Sequence, residues 1–158
     1  MFERLTKIGT TVKLAMPERT AMYAFLKEAG TDKALYAGVD FYWAGGFAGG
    51  PVLAMFRWQE PDILLLRPPP VLAVKTTAVM ADEYMRDALR MMVPSAVHEM
   101  THRRQLKDRG RLAYWACSVP GLYYTMLDAE AFAMEKSAAL ALKLPQGEYE
   151  GFGDGERG

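Results

Sequence analysis

The sequence has little cysteine, little histidine and no excess charge of either sign. Nineteen lysines and arginines balance nineteen aspartates and glutamates, so the net charge gives no reason to expect nucleic acid or an anionic membrane as a partner. Such a partner would need a local patch. Cys117 is the single cysteine, which excludes an internal disulfide and a four-thiolate zinc site and favours a reducing compartment.

Long hydrophobic runs are also missing. The N-terminus carries charge from Glu3 onward and never develops the apolar stretch of a signal peptide. The longest apolar runs, 63–66 and 71–74, fall far short of the ~18–20 residues that span a bilayer. We therefore expect neither a signal peptide nor a transmembrane segment, and a cytoplasmic location.

The length of 158 residues predicts one domain. We place that domain at residues 1–145. Residues 146–158 contain five glycines and four acids, a composition that cannot bury enough apolar surface to order itself. This segment is predicted to be a flexible tail, and in a larger assembly it is also a candidate contact.

The N-terminal half has the composition of a small sheet. A strand is predicted at 10–15, and a helix begins at Pro17 and stops at Gly30. The β-branched, aromatic and glycine residues of 34–58 predict two or three antiparallel strands. Further strands are predicted at 63–67, where three prolines follow, and at 71–75 as an edge.

The C-terminal half is helical in character. Helices are predicted at 82–92, at 95–109 after an interruption by Pro94, and at 121–143. The fold class is therefore α+β, with a small antiparallel or mixed sheet in the N-terminal half packed on a helical C-terminal half.

The second of these helices contains the pattern HExxH. His98 and His102 are four residues apart, so both imidazoles lie on one helical face and can bind one metal ion. Glu99 lies about 100° further round the helix, where it can accept a proton from a metal-bound water. Because the chain has only two histidines, this arrangement arises by chance about once in a thousand.

A zinc site needs a third protein ligand, and an oxygen from the following helix is the natural supplier. The segment 127–133 offers two carboxylates, Asp128 and Glu130. Residues two apart on a helix point about 200° away from each other, so only one of them can ligate. Glu135, further along the same helix, is interpreted as a solvated surface acid.

Two short segments resemble a known family. HEMTHRRQ (98–105) is similar to the H-E-x-x-H-x-x-Q of small metallopeptidase-like domains, some of them encoded by bacteriophages, and DAEAF (128–132) resembles their E-x-E-A-aromatic segment. The likeness to gluzincin-type HExxH zinc metallopeptidases covers about 95–135. It implies a zincin-like domain with one zinc ion per chain, and it places the acidic ligand at Asp128, with Asp instead of Glu and with Glu130 as the alternative.

Other polar residues lie near the motif. Gln105 can reach a neighbouring backbone or the helix that carries Asp128. Three tyrosines are candidate oxyanion donors, although packing at the edge of the core is the favoured interpretation of each: Tyr114, Tyr123 and Tyr124. Five cations between 103 and 111 are interpreted as the solvated end of a helix.

Two functions follow from these features. In the favoured one, the protein is a zinc metallopeptidase in which Glu99 activates a zinc-bound water against a peptide bond, with a peptide or protein as substrate. In the alternative, the zinc stabilises a structural or binding module of a larger assembly, such as a phage particle, with weak or no turnover. The expected location is accordingly the cytoplasm or the interior of a phage virion. An intact Glu99 favours the enzyme, because a structural site needs no base.

Overall fold

The computed structural model describes residues 11–44, 54–57, 60–67, 78–119, 121–122 and 124–144. It has a mixed four-stranded sheet in the N-terminal half and a mostly helical C-terminal half, which confirms the predicted α+β class. The predicted edge strand at 71–75 and the tail at 146–158 lie outside the described residues.

The first described elements are strand β1 (Thr11–Lys13) and helix α1 (Met16–Glu28). Helix α1 has Pro17 in its first turn, as predicted. After α1, Gly30 adopts a positive φ of 73°. Its N–H donates to the carbonyl of Lys27, and the N–H of Thr31 donates to the carbonyl of Leu26. These two hydrogen bonds form a Schellman motif, and they end α1 at Gly30, as the sequence predicted.

The segment expected to start with strands starts instead with a short helix, α2 (Lys33–Tyr36). The Asp32 side chain accepts a hydrogen bond of 3.0 Å from the N–H of Ala34, which caps this turn. Strands β2 (Asp40–Ala44), β3 (Ala54–Arg57) and β4 (Glu60–Leu66) follow.

The strand order is β1-β2-β4-β3. The prediction of antiparallel strands within 34–58 was wrong in its pairing, because β2 does not pair with β3. β4 lies between them, parallel to β2 and antiparallel to β3. A central position suits β4, since its apolar run Leu64–Leu66 is buried.

Helix α3 (Ala78–Arg109) runs without a break through Pro94, so the predicted interruption was wrong. An interior proline costs a helix about 3 kcal/mol, because it lacks an N–H and its ring clashes with a preceding carbonyl. Here Val93 and Ala96, before and after Pro94, are buried in the core, and this packing offsets that cost. The main core lies among these elements, with Trp43, Phe41, Met22, Leu26 and Met100 fully buried.

Two more α-helices follow α3 in the described part of the chain. Gly110, with a φ of 81°, separates α3 from α4 (Arg111–Cys117), which the sequence did not predict. A π-helical turn (Tyr124–Asp128) leads into α5 (Ala129–Ala141), which runs beside α3. Within the described part of the chain, no helix is both long and apolar enough to cross a membrane.

Candidate metal centre

Helix α3 presents both histidines of the chain to the start of α5. The Nε2 atoms of His98 and His102 are 3.1 Å apart. Oδ1 of Asp128 lies 3.0 Å from the Nε2 of His98 and 3.1 Å from the Nε2 of His102. Three candidate ligand atoms therefore form a nearly equilateral triangle.

The size of this triangle suits one small cation. In a tetrahedral zinc site with bonds of ~2.0–2.1 Å, ligand atoms lie about 3.3 Å apart. Two imidazole nitrogens and one carboxylate oxygen are also a donor set that zinc accepts. His98 and His102 are buried and Asp128 is partly buried, so a bound ion would be only partly open to solvent.

The outer nitrogen of each imidazole is already engaged. Nδ1 of His98 lies 2.8 Å from Oε2 of Glu135 and donates to it, while Nδ1 of His102 donates to Oε1 of Gln105 at 2.9 Å. Because each Nδ1 is bonded to an acceptor, a neutral imidazole presents the lone pair of its Nε2 to the triangle, whereas a protonated one donates from Nε2 to Asp128. Three acceptor atoms at this distance repel one another unless a positive charge lies between them.

The pKa values of His98 and Asp128 are shifted in the directions that favour a positive charge in the centre. Burial acts to lower the pKa of His98, but hydrogen bonds with Asp128 and Glu135 outweigh it and raise that pKa to about 9. Burial acts to raise the pKa of Asp128, yet its bonds with His102 and His98 hold that pKa well below its ordinary range. The centre thus attracts either a proton or a metal cation.

Glu99 lies beside the triangle without joining it. Its carboxylate makes no hydrogen bond to any residue that the structure describes. Removal from water raises its pKa, against the opposing effect of His98 and His102. A carboxylate with a raised pKa next to a candidate metal centre has the properties of a general base.

Of the two acids proposed as third ligand, the structure brings only Asp128 to the histidines. Glu130 is exposed on α5, and its Oε1 accepts hydrogen bonds from Arg104 and from Nε2 of Gln105, the latter at 3.1 Å. Gln105 also donates to the carbonyl of Leu127 at 2.8 Å. Gln105 therefore connects His102 with the segment that carries Asp128. Contact with this segment is one of the two that the sequence led us to expect.

Tyr114 is the one candidate tyrosine whose side chain the structure describes. Tyr114 is buried in a small apolar cluster with Leu106 and Leu127. Tyr123 and the side chain of Tyr124 lie outside the described residues.

Sequence reasoning missed two residues that support the site. The interpretation of Glu135 as a solvated acid was wrong, because it is only 4% exposed and bonds to His98. Its spacing of seven residues from Asp128, two helical turns, is the signal that could have revealed it. Arg103 was interpreted as solvated, yet it is buried and binds Asp62 of β4 through Nε and Nη2, at 3.1 and 2.7 Å.

Comparisons with protein-family models, with curated proteins and with solved structures found no match. The interpretation of the centre therefore rests on its own geometry.

Proposed function

We propose that this protein is a zinc-dependent hydrolase of the metallopeptidase type, which cleaves a peptide or other amide bond. One observation carries the proposal. The Nε2 atoms of His98 and His102 and Oδ1 of Asp128 lie within 3.1 Å of each other. The carboxylate of Glu99, on the same helix as the histidines, is close enough to interact electrostatically with all three.

Each residue of the candidate centre has a distinct role in the proposed reaction. His98, His102 and Asp128 would hold the ion, and Glu135 and Gln105 keep the imidazoles in the ligating tautomer. One zinc ion per chain, held by these residues, would act as a Lewis acid that polarises a carbonyl and lowers the pKa of water. Glu99 takes a proton from the attacking water and delivers it to the leaving amine. Its raised pKa supports both transfers.

The number of ligands favours an enzyme. Structural zinc sites use four protein ligands, whereas catalytic sites use three and keep one position open. Only three ligating residues meet in the part of the chain that the structure describes. The burial of His102, which is 2% exposed, supports the second candidate, a zinc-stabilised module of a larger assembly such as a phage particle.

Replacement of Glu99 by Gln tests the proposal. The amide keeps the size of the side chain but cannot act as a base, so Glu99→Gln should keep one equivalent of zinc by elemental analysis. Peptide cleavage should fall at least a hundredfold, since general-base catalysis contributes about 10²–10⁴ in rate. Zinc content and the cleavage of a peptide library are both measured on the full chain.

Glu83→Gln is the matched control, because Glu83 is an exposed acid on the same helix and its loss should change neither quantity. If wild-type protein holds zinc and cleaves no member of the library, the structural candidate replaces the enzyme. Cleavage by Glu99→Gln at the wild-type rate would contradict the proposed role of the base.

A further inference from the structure

The segment that links α3 to Asp128 exposes a series of large apolar side chains. Those on α4 are Leu112 and Trp115, which are three residues apart and therefore neighbours on the helix surface, and we name these two residues the α4 patch. Leu112 is 79% exposed and Trp115 is 63% exposed. Clusters of exposed apolar residues on a protein surface mark interaction sites more often than isolated ones do.

Packing explains why these side chains face outward. Tyr114 is the only residue of α4 that is buried, and it packs on Leu106 and Leu127. That contact turns the opposite side of α4, with Leu112 and Trp115, to solvent. Their high exposed fractions mean that Leu112 and Trp115 protrude from the surface.

The charged residues between 109 and 127, the segment that contains the α4 patch, are all positive. Arg109 and Arg111 are exposed at its start, and there is no acid between 109 and 127. Among described residues, Arg109 contacts only the Cys117 Sγ, at 3.9 Å, and Arg111 has no ion pair. The neighbouring acids Asp108 and Glu130 both pair with Arg104.

This charge pattern disfavours a second copy of the chain as the occupant. A two-fold contact would be made by the same segment of both copies, and that segment has no acid between 109 and 127 to pair with the arginines of the other copy. A protruding apolar helix with a basic edge instead fits an interface that is apolar inside and anionic at its rim, as a phospholipid bilayer is.

We propose that the α4 patch docks the protein on the surface of an anionic lipid bilayer. Trp115 and Leu112 enter the boundary between head groups and acyl chains, and Arg109 and Arg111 contact lipid phosphates. The local patch supplies what the neutral net charge does not. The contact is peripheral and independent of the metal centre.

Vesicle sedimentation of the full chain tests this proposal. Vesicles of phosphatidylcholine and phosphatidylserine in equal parts should bind the protein, and vesicles of phosphatidylcholine alone should bind it at least tenfold less. Trp115→Ser with Leu112→Gln should lower binding to the anionic vesicles at least tenfold. Arg109→Gln and Arg111→Gln should each lower it about fivefold.

Leu140→Gln and Lys136→Gln are matched controls, because both residues are exposed on α5 and should leave binding unchanged. All substituted residues are exposed, so an unaltered melting temperature checks the fold of each variant. Absence of binding to anionic vesicles, equal binding to neutral ones, or self-association that Trp115→Ser abolishes would each overturn the proposal. Binding to an acidic protein without binding to vesicles would also overturn it.

Discussion

Each imidazole of the centre has its Nε2 near Asp128 and its Nδ1 bonded to a second side-chain oxygen. His98 contacts two turns of the opposing segment at once, with Asp128 at Nε2 and Glu135 at Nδ1. The ring of Phe132 packs against His98 at 4.5 Å between centroids and limits its rotation. These contacts fix the imidazole before any ligand binds, which lowers the entropy cost of binding.

Asp128 and Glu130 give a direct test of the ligand assignment. Asp128→Ala should lower zinc affinity strongly, because it removes one of three donors. Glu130→Ala should leave zinc affinity within a few-fold, since Gln105 keeps its second bond to the carbonyl of Leu127. Competition with a chromogenic chelator measures both, and the reverse ranking would transfer the ligand role to Glu130.

Glu135 should affect zinc binding without touching the ion. Glu135→Ala removes the acceptor of the His98 Nδ1 proton, so zinc affinity should fall about 10–100-fold. Glu135→Gln retains an acceptor oxygen and should restore most of that affinity. Chelator competition separates the two variants. Equal affinity of Glu135→Ala and wild type would show that the bond does not position His98.

Helix α3 is fixed by partners on two sides of the motif. His98 and His102 face α5, while the next residue, Arg103, reaches Asp62 of β4 and the carbonyls of Leu35 and Ala37. Lys107, one turn later, bonds to the same Asp62 oxygen at 2.6 Å. The sheet thereby fixes the rotation of α3 about its axis, and that rotation decides whether the histidines meet Asp128.

The Asp62 anchor should make stability depend on pH. Hydrogen bonds from Lys107 and from Arg103 hold the pKa of Asp62 below its ordinary value of 3.8. A lowered pKa in the folded state stabilises the fold above that ordinary value, and the gain is lost as pH falls through the folded pKa. Asp62→Asn should therefore lower the free energy of unfolding by about 1 kcal/mol near neutral pH.

The difference between Asp62→Asn and wild type should shrink as pH falls below 3.8, as measured by urea unfolding at a series of pH values. Asp108→Asn is the control, because Asp108 is more exposed and its Arg104 partner is 3.9 Å away. A difference that stays constant with pH would assign the effect to packing instead of charge.

The sequence predicted the features that depend only on neighbouring residues. His98 and His102 share a helical face because they are four residues apart, and Gly30 ends α1 because glycine readily adopts a positive φ. Features that depend on distant partners were missed. Pro94 stays within α3 because of packing on both sides, and Arg103 is buried because Asp62 comes from a strand 41 residues away.

The candidate centre lies between α3 and the start of α5. Two of its three candidate ligands, His98 and His102, are on α3, which packs on the sheet, and the third, Asp128, directly precedes α5. A metal ion bound there would link elements that must separate when the chain unfolds. Binding to the folded state alone adds to the free energy of unfolding in proportion to the logarithm of the free ligand concentration.

Zinc should therefore raise the melting temperature of the whole molecule. At free zinc about 1,000 times the dissociation constant, the gain is about 4 kcal/mol, which for a chain of this size corresponds to about 10 °C. Calorimetry of chelator-treated protein with and without added zinc measures it. A variant with both His98→Ala and His102→Ala should show no zinc-dependent shift. A wild-type protein whose melting temperature ignored zinc, or a double variant that kept the shift, would place the ion elsewhere and remove the basis of the hydrolase proposal.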